Sequence, residues 1–114
     1  MAAERRNLAR KNFSYYMRVV DDSTDKLVGH ISDISSGGFK LDSNYPVPLN
    51  KDIRLRIDHT GEIASKTYLI FVGRATWCQS DLLAPGMYNV GFKIVNMTPA
   101  DYDIFLKMFN EYSR

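Results

Sequence analysis

Residues 53–58 read IRLRID, and apolar and charged side chains alternate along the whole stretch. This period of two is typical of a β-strand that buries one face and exposes the other. Stretches rich in β-branched and aromatic residues recur on both sides of it and predict further strands. These strands are expected at residues 15–20, 27–34, 39–41, 66–78 and 88–95. In the longest of them, Gly73 is expected to mark a bulge or bend.

The end of the chain changes period. Thr98 and Pro99 combine a capping hydroxyl with a proline in the first helical turn, so a helix is expected over about residues 98–113. Its apolar side chains recur every three or four residues in one stripe, which either packs on the sheet or serves as a partner surface. Because there is only one helical pattern, an alternating βαβ architecture is excluded. We therefore expect an all-β fold, a six-stranded antiparallel β-barrel with one C-terminal α-helix.

The composition is that of one globular domain. Of the 114 residues, 45% are hydrophobic and 25% are charged, close to the average for soluble domains. No apolar run approaches the roughly 20 residues of a membrane-spanning helix, and the N-terminal residues lack the hydrophobic centre of a secretory signal. Cys78 is the only cysteine, so an internal disulfide is excluded. We expect no membrane insertion and a cytoplasmic location.

Positive charge is concentrated at the N-terminus. The formal net charge is only +2, yet residues 1–14 contain three arginines and Lys11 against a single acid. We therefore divide the chain into this basic segment and a barrel with its helix, residues 15–114. The segment is either a solvated arm or a clamp for a small anion. A general nucleic-acid binder spreads positive charge over a face, whereas the rest of this chain is net acidic, so no nucleic-acid partner is expected.

Two short motifs carry candidate binding chemistry. Arg6 and Arg10 form an R-x-x-x-R pattern, and two planar guanidiniums at this spacing can converge on a phosphate or a purine edge. Asp33, Ser35 and Gly38 form a D-x-S-x-x-G pattern at the end of a predicted strand. This second motif is either a tight turn, in which the side chains bond local backbone, or a site where the carboxylate accepts from the N1–H and N2–H₂ edge of guanine.

Together, in this order and at this spacing, the two motifs resemble the PilZ domain family. The resemblance continues in the late strands, with GRATW at residues 73–77 and YNVGF at residues 88–92, and it covers about residues 5–110. PilZ domains are receptors for the bacterial second messenger cyclic di-GMP. The resemblance implies a stand-alone receptor that binds cyclic di-GMP, changes conformation and signals to a separate, unidentified protein.

The resemblance implies specific roles for the basic segment. Arg6 and Arg10 are expected to grip the phosphates and to stack on guanine or bond to it. Arg5 directly precedes the motif. In the family, an arginine at that place goes with an intercalated dimer of cyclic di-GMP rather than a single molecule, so two bound nucleotides per chain are a hypothesis beside one.

The resemblance also implies roles for barrel residues. Asp33 and Ser35 are expected to read a guanine edge. Gly37 and Gly38 are expected to leave clearance under the ligand. Trp77 is expected to pack inside the barrel or under the helix, and the alternative, which would place it in the ligand site, is a ring that stacks on a purine at the barrel surface.

No catalytic or metal chemistry is expected. His30 and His59 are far apart, and no cysteine or histidine has metal-ligand spacing. No nucleophile has a plausible orienting base, so the protein is not expected to be an enzyme. Cyclic di-GMP is a ligand, and no cofactor is expected. Two alternatives to a receptor remain: a PilZ-like adaptor that binds only protein, and a small barrel that binds single-stranded nucleic acid.

Overall fold

The computed structural model describes residues 17–58 and 67–112 of the chain. Six strands and one helix follow one another along these ranges: β1 (Arg18–Asp21), β2 (Leu27–Ser35), β3 (Gly38–Ser43), β4 (Asp52–Asp58), β5 (Tyr68–Ser80), β6 (Tyr88–Met97) and α1 (Pro99–Tyr112). The helix begins and ends within one residue of its predicted limits. In the ranges that the structure describes, no helix combines the length and the hydropathy needed to cross a membrane.

The strands close into a barrel. Neighbours hydrogen-bond in the order β1-β2-β3-β6-β5-β4, β4 pairs again with β1, and every pair is antiparallel. The predicted six-stranded antiparallel barrel with one C-terminal helix is confirmed. Because strand direction alternates, the turn at residues 36–37 and the start of α1 share one end of the barrel, here called the helix end. Loops 22–26, 44–51 and 81–87 share the other, here called the loop end.

The alternating stretch in β4 adopts the arrangement that its pattern predicts. Leu55 and Ile57 are fully buried in the barrel, whereas Arg54 and Arg56 lie on its outer face. Arg54 Nε donates to the carboxylate of Asp22 at 2.9 Å. Exposed ion pairs of this kind contribute little to stability. The burial of apolar side chains inside the barrel is therefore the main stabilising contribution.

A bulge in β2 decides which face two motif residues occupy. The register with β3 shifts between Ile31 and Asp33, where Ser32 is inserted as an extra residue. The insertion breaks the period of two, so that Ile31 and Ile34 are both buried while Asp33 and Ser35 lie on the outer face. Without the bulge, Asp33 would share the inward face of Ile31.

A similar irregularity turns a tryptophan outward in β5. The register with β6 shifts between Ala75 and Trp77, so that Ala75 is buried, Trp77 lies on the outer face and Cys78 packs against the core. A further shift between Val72 and Gly73 confirms the irregularity predicted at that glycine. The two bulges, one in β2 and one in β5, thus place Asp33, Ser35 and Trp77 on the outer face of the barrel.

Helix α1 is capped and anchored in its first turn. The Asp101 N–H donates to Thr98 Oγ1 at 3.2 Å, as a capping residue requires. Asp101 is only 4% exposed, and its carboxylate accepts a hydrogen bond from the Ile70 N–H of β5 at 3.2 Å. Further along the helix, Phe105 and Met108 are buried. The apolar stripe therefore packs on the barrel, which confirms the first of its two predicted interpretations.

Two leucines project from loop 81–87 at the loop end. Leu82 is 98% exposed and Leu83 is 92% exposed. The backbone beneath them is held by Asp81, whose Oδ1 accepts from the N–H of Leu83 at 2.8 Å and from that of Ala84 at 3.2 Å. The loop thus presents two apolar side chains on a hydrogen-bonded turn.

Candidate ligand-binding site

The hairpin of β2 and β3 carries the D-x-S-x-x-G motif. Its two-residue turn places Ser35 opposite Gly38 and Asp33 opposite Lys40. Asp33 Oδ1 accepts a hydrogen bond from the Ile34 N–H at 2.8 Å, and the Ser35 hydroxyl donates to the Gly38 carbonyl at 3.3 Å. These are the local bonds of the turn interpretation, and they hold the carboxylate and the hydroxyl on the outer face near the helix end.

A row of four residues crosses the outer face from Asp33. Asp33 pairs with Lys40, Lys40 with Gly91, and Gly91 with Trp77. Because cross-strand partners project from the same face of a sheet, a carboxylate, an ammonium and an indole lie in one row, in which the indole lies over Gly91. An open depression of about 280 Å³ lies here, called the outer-face site below. It is lined by Asp33, Ile34, Ser35, Phe39, Lys40, Thr76, Trp77, Gly91 and Phe92.

Trp77 forms one wall of the outer-face site. A Cβ on Gly91 would lie 2.0 Å from the indole Nε1, so the indole occupies the room that the glycine leaves. The side chain is 38% exposed, and an exposed aromatic face can stack on a nucleotide base. The interpretation that placed Trp77 inside the barrel or under the helix is wrong, because the bulge at Thr76 turns it outward.

The two glycines of the motif have different surroundings. A Cβ on Gly38 would lie 2.1 Å from the backbone oxygen of Phe92, so β3 lies too close to β6 for any side chain at this position. A Cβ on Gly37 would meet no atom within 4 Å among the described residues. Gly38 therefore has a role in the fold itself, and Gly37 is the glycine that leaves open space.

The motif turn is tied to two other elements. The Gly37 carbonyl accepts a hydrogen bond from the Ile94 N–H of β6 at 3.0 Å. The Ser36 carbonyl accepts one from the Tyr102 hydroxyl of α1 at 3.1 Å. A displacement of the turn would therefore disturb its hydrogen bonds to β6 and to the first turn of the helix.

Positive charge lies beside the site in a second row. Gly38 pairs with Lys93, and Lys93 pairs with Arg74. Arg74 Nε donates to the Asp52 carboxylate at 2.7 Å, and this hydrogen bond raises the pKa of Arg74 and lowers the pKa of Asp52. Within the described residues Lys40 has no carboxylate at ion-pair distance. Its ammonium is therefore available to a ligand.

The arginines of the basic segment, Arg5, Arg6 and Arg10, lie outside the described residues. The described chain starts at Met17, whose carbonyl accepts a hydrogen bond from the Ile31 N–H at 2.9 Å, beside the bulge of β2. A chain spans at most about 3.5 Å per residue. Arg10 is thus within about 25 Å of Met17, and Arg6 within about 39 Å. The covalent chain allows both arginines to reach the outer-face site.

Lys40 and Gly91 are the two residues of the row of four that were not predicted from the sequence; Ile34, Phe39, Thr76 and Phe92 also line the site and were not predicted either. Counting outward from a two-residue turn at residues 36–37 would have placed Lys40 opposite Asp33. The pairing of Gly91 with Trp77 depends on a bulge that has no sequence signature. Among the described residues, no group of three or more His, Cys, Asp and Glu side chains could hold a metal ion.

Comparisons with known proteins test whether the chain belongs to the family that the motifs resemble. No curated protein and no solved structure matches the chain. The family model of the PilZ domain matches residues 4–110. This match spans both motifs, all six strands and most of helix α1. Its extent settles the question that the motifs raised, and the chain belongs to the PilZ domain family.

Proposed function

We propose that this protein is a receptor for cyclic di-GMP and that the nucleotide binds at the outer-face site. The observation that carries the proposal is the row in which Asp33 and Trp77 border one open depression. A guanine base needs an aromatic face to stack on and an acceptor for its N1–H and N2–H₂ groups, and these two side chains offer both. The proposed role is binding alone, without catalysis.

The phosphates are proposed to bind Arg6 and Arg10. The outer-face site, at about 280 Å³, is smaller than the roughly 300–1,000 Å³ of pockets that enclose a small ligand. A cyclic dinucleotide bound there would need a second wall, and two guanidiniums within reach of the site could supply it. Each charge-assisted hydrogen bond contributes about 1.5–3 kcal/mol, so loss of both arginines should weaken binding well beyond tenfold, which corresponds to about 1.4 kcal/mol.

Signalling is proposed to pass through the motif turn to helix α1. The hydrogen bonds from Tyr102 to Ser36 and from Ile94 to Gly37 support this route, because a ligand on Ser35 presses on the same turn. A partner protein that contacts α1 would then distinguish the bound state from the free state. The identity of that partner and a cytoplasmic location stay predictions.

Calorimetric titration with cyclic di-GMP tests the proposal. We expect saturable binding by the wild type that is lost in the Arg6→Ala/Arg10→Ala variant and strongly weakened in Asp33→Ala. Arg54→Ala is the matched control, because Arg54 pairs with Asp22 on the outer face of β4 and should leave binding unchanged. GMP and a short oligonucleotide serve as control ligands. Absence of binding by the folded wild type would contradict the proposal.

The same titration measures the stoichiometry. Two nucleotides per chain would support the intercalated dimer that the family resemblance links to Arg5. One nucleotide per chain would contradict the dimer and leave the receptor proposal intact. In the two-nucleotide case, Arg5→Ala is expected to reduce the stoichiometry toward one.

A second candidate function is docking to a partner protein without any nucleotide. The observation that favours it is the pair Leu82 and Leu83, because contiguous exposed apolar side chains on a hydrogen-bonded loop are typical of interaction sites. A wild type that is folded but binds no nucleotide would favour this adaptor.

A further inference from the structure

The outer-face site contains a carboxylate and an ammonium that face outward side by side. Asp33 and Lys40 are direct cross-strand partners, and both line the depression. The Cβ atoms of such partners are about 4.5–5.5 Å apart. One Asp33 oxygen already accepts from the Ile34 N–H at 2.8 Å, which fixes the orientation of the carboxylate.

The two charges do not neutralise each other. Within the described residues neither Asp33 nor Lys40 takes part in an ion pair. In the neighbouring row, by contrast, Arg74 is bonded to Asp52 at 2.7 Å. The outer-face site thus holds an acceptor and a donor next to each other, both free to bind a ligand that presents the complementary pair.

We propose that Lys40 makes the outer-face site select guanine over adenine, by donating to the guanine O6 while Asp33 accepts from N1–H and N2–H₂. This inference rests on the proposed function and deepens it. The guanine edge presents two donors and then an acceptor, which matches a carboxylate beside an ammonium. The adenine edge presents the N1 lone pair toward Asp33 and an amino group toward Lys40, so both contacts become repulsive.

Selectivity of this kind is expected to be large. A site built to hydrogen-bond a polar edge rejects an analogue that leaves its buried or half-buried groups unpaired. A well-placed bidentate pair between a side chain and a base edge contributes roughly 5- to 150-fold of discrimination between bases. Loss of the Lys40 donor alone should therefore change the preference for guanine by at least about fivefold.

The competing role for Lys40 is that of a point charge for phosphate. A phosphate contact would be the same for cyclic di-GMP and cyclic di-AMP, because the two ligands share one backbone. Removal of the lysine would then weaken both ligands by the same factor. The ratio of the two affinities, rather than either affinity alone, separates base selection from phosphate binding.

The experiment measures both affinities by competition against a fluorescent cyclic di-GMP. The variants are Lys40→Met, Lys40→Arg and, as the matched control, Lys26→Met in the turn at the loop end. Lys40→Met is expected to weaken the binding of cyclic di-GMP at least about fivefold, to leave that of cyclic di-AMP unchanged or tighter, and so to lower the affinity ratio at least about fivefold. Lys40→Arg should keep the ratio, since a guanidinium also donates to O6. Lys26→Met should behave as the wild type.

The possible results distinguish the role of Lys40 in base selection from the proposed receptor function. An unchanged ratio in a folded Lys40→Met variant, with wild-type binding intact, would overturn the role of Lys40 and leave the receptor function standing. A wild type that binds neither nucleotide would overturn the proposed function and this inference together. A thermal melt of each variant shows that it is folded; Lys40 lies on the outer face, so the methionine is expected to be tolerated.

Discussion

The adjacent glycines Gly37 and Gly38 should respond very differently to substitution by alanine. Gly38→Ala places a Cβ 2.1 Å from the Phe92 backbone oxygen, more than 1 Å short of the 3.4 Å at which ordinary contact begins. Gly37→Ala meets no atom within 4 Å among the described residues. The clash at Gly38 is with main chain, so no side-chain rotation can relieve it and β3 must move away from β6.

The cost of that movement follows from what joins the two strands. It loosens the stacked pair of Phe39 and Phe92, whose ring centroids are 5.4 Å apart, and such pairs contribute about 0.5–1.5 kcal/mol. It also strains ladder hydrogen bonds worth about 0.5–1.5 kcal/mol each. Inserting an atom into a well-packed site costs typically about 1–3 kcal/mol. We expect Gly38→Ala to lower the free energy of unfolding by about 3 kcal/mol.

Urea unfolding followed by circular dichroism measures both variants. Gly37→Ala should change the free energy of unfolding by less than about 0.5 kcal/mol. In thermal melts, Gly38→Ala should lower Tm by roughly 10 °C, at about 4 °C per kcal/mol for a domain of this size. Equal, small effects of the two substitutions would refute the reasoning that the approach of β3 to β6 requires glycine at residue 38. If bound cyclic di-GMP occupies the open space beside Gly37, the Gly37→Ala variant should remain folded and bind cyclic di-GMP more weakly.

The buried ring of Phe105 is 0% exposed between α1 and the barrel, so Phe105→Ala should lower the free energy of unfolding in urea by about 3–5 kcal/mol; a loss below 1 kcal/mol would contradict this packing. Burial and the charge of Arg18 lower the pKa of His30, and Asp42 acts in the opposite direction. Protonation therefore favours the unfolded state, stability should fall as pH drops below about 6.5, and His30→Gln should flatten the Tm curve between about pH 5 and 7. Trp77 is the only tryptophan, so cyclic di-GMP should change the intrinsic fluorescence in a saturable way, and an unchanged spectrum at saturation would exclude stacking on the indole.

The positions of the strands and the helix could be predicted from side-chain periodicity. The alternation in residues 53–58 and the capped start at Thr98 are local patterns, and local patterns report which residues share a face. The family could likewise be predicted from two motifs and their order. These features depend on short stretches of chain and not on how distant strands meet.

The faces of Asp33 and Trp77 could not be predicted in the same way. Each depends on a bulge, in which one extra residue stands opposite the partner strand and reverses the faces of the residues that follow. The structural reason for Gly38 is also non-local, because the atom that excludes a side chain belongs to Phe92 in β6. The pairing of Lys40 with Asp33 could have been predicted from the sequence, because the two-residue turn sets the register of β2 and β3. The prediction requires counting the strand register outward from that turn.

The most direct test of the central claim is a titration with cyclic di-GMP followed in ¹H–¹⁵N correlation spectra. The expected result is a set of saturable shifts of the Asp33 and Lys40 amides, of Gly91 and of the single indole N–H of Trp77, with loop 81–87 unchanged. It would be contradicted by the absence of shifts at saturating nucleotide. Shifts confined to Leu82 and Leu83 would also contradict it, since the nucleotide would then bind at the loop end.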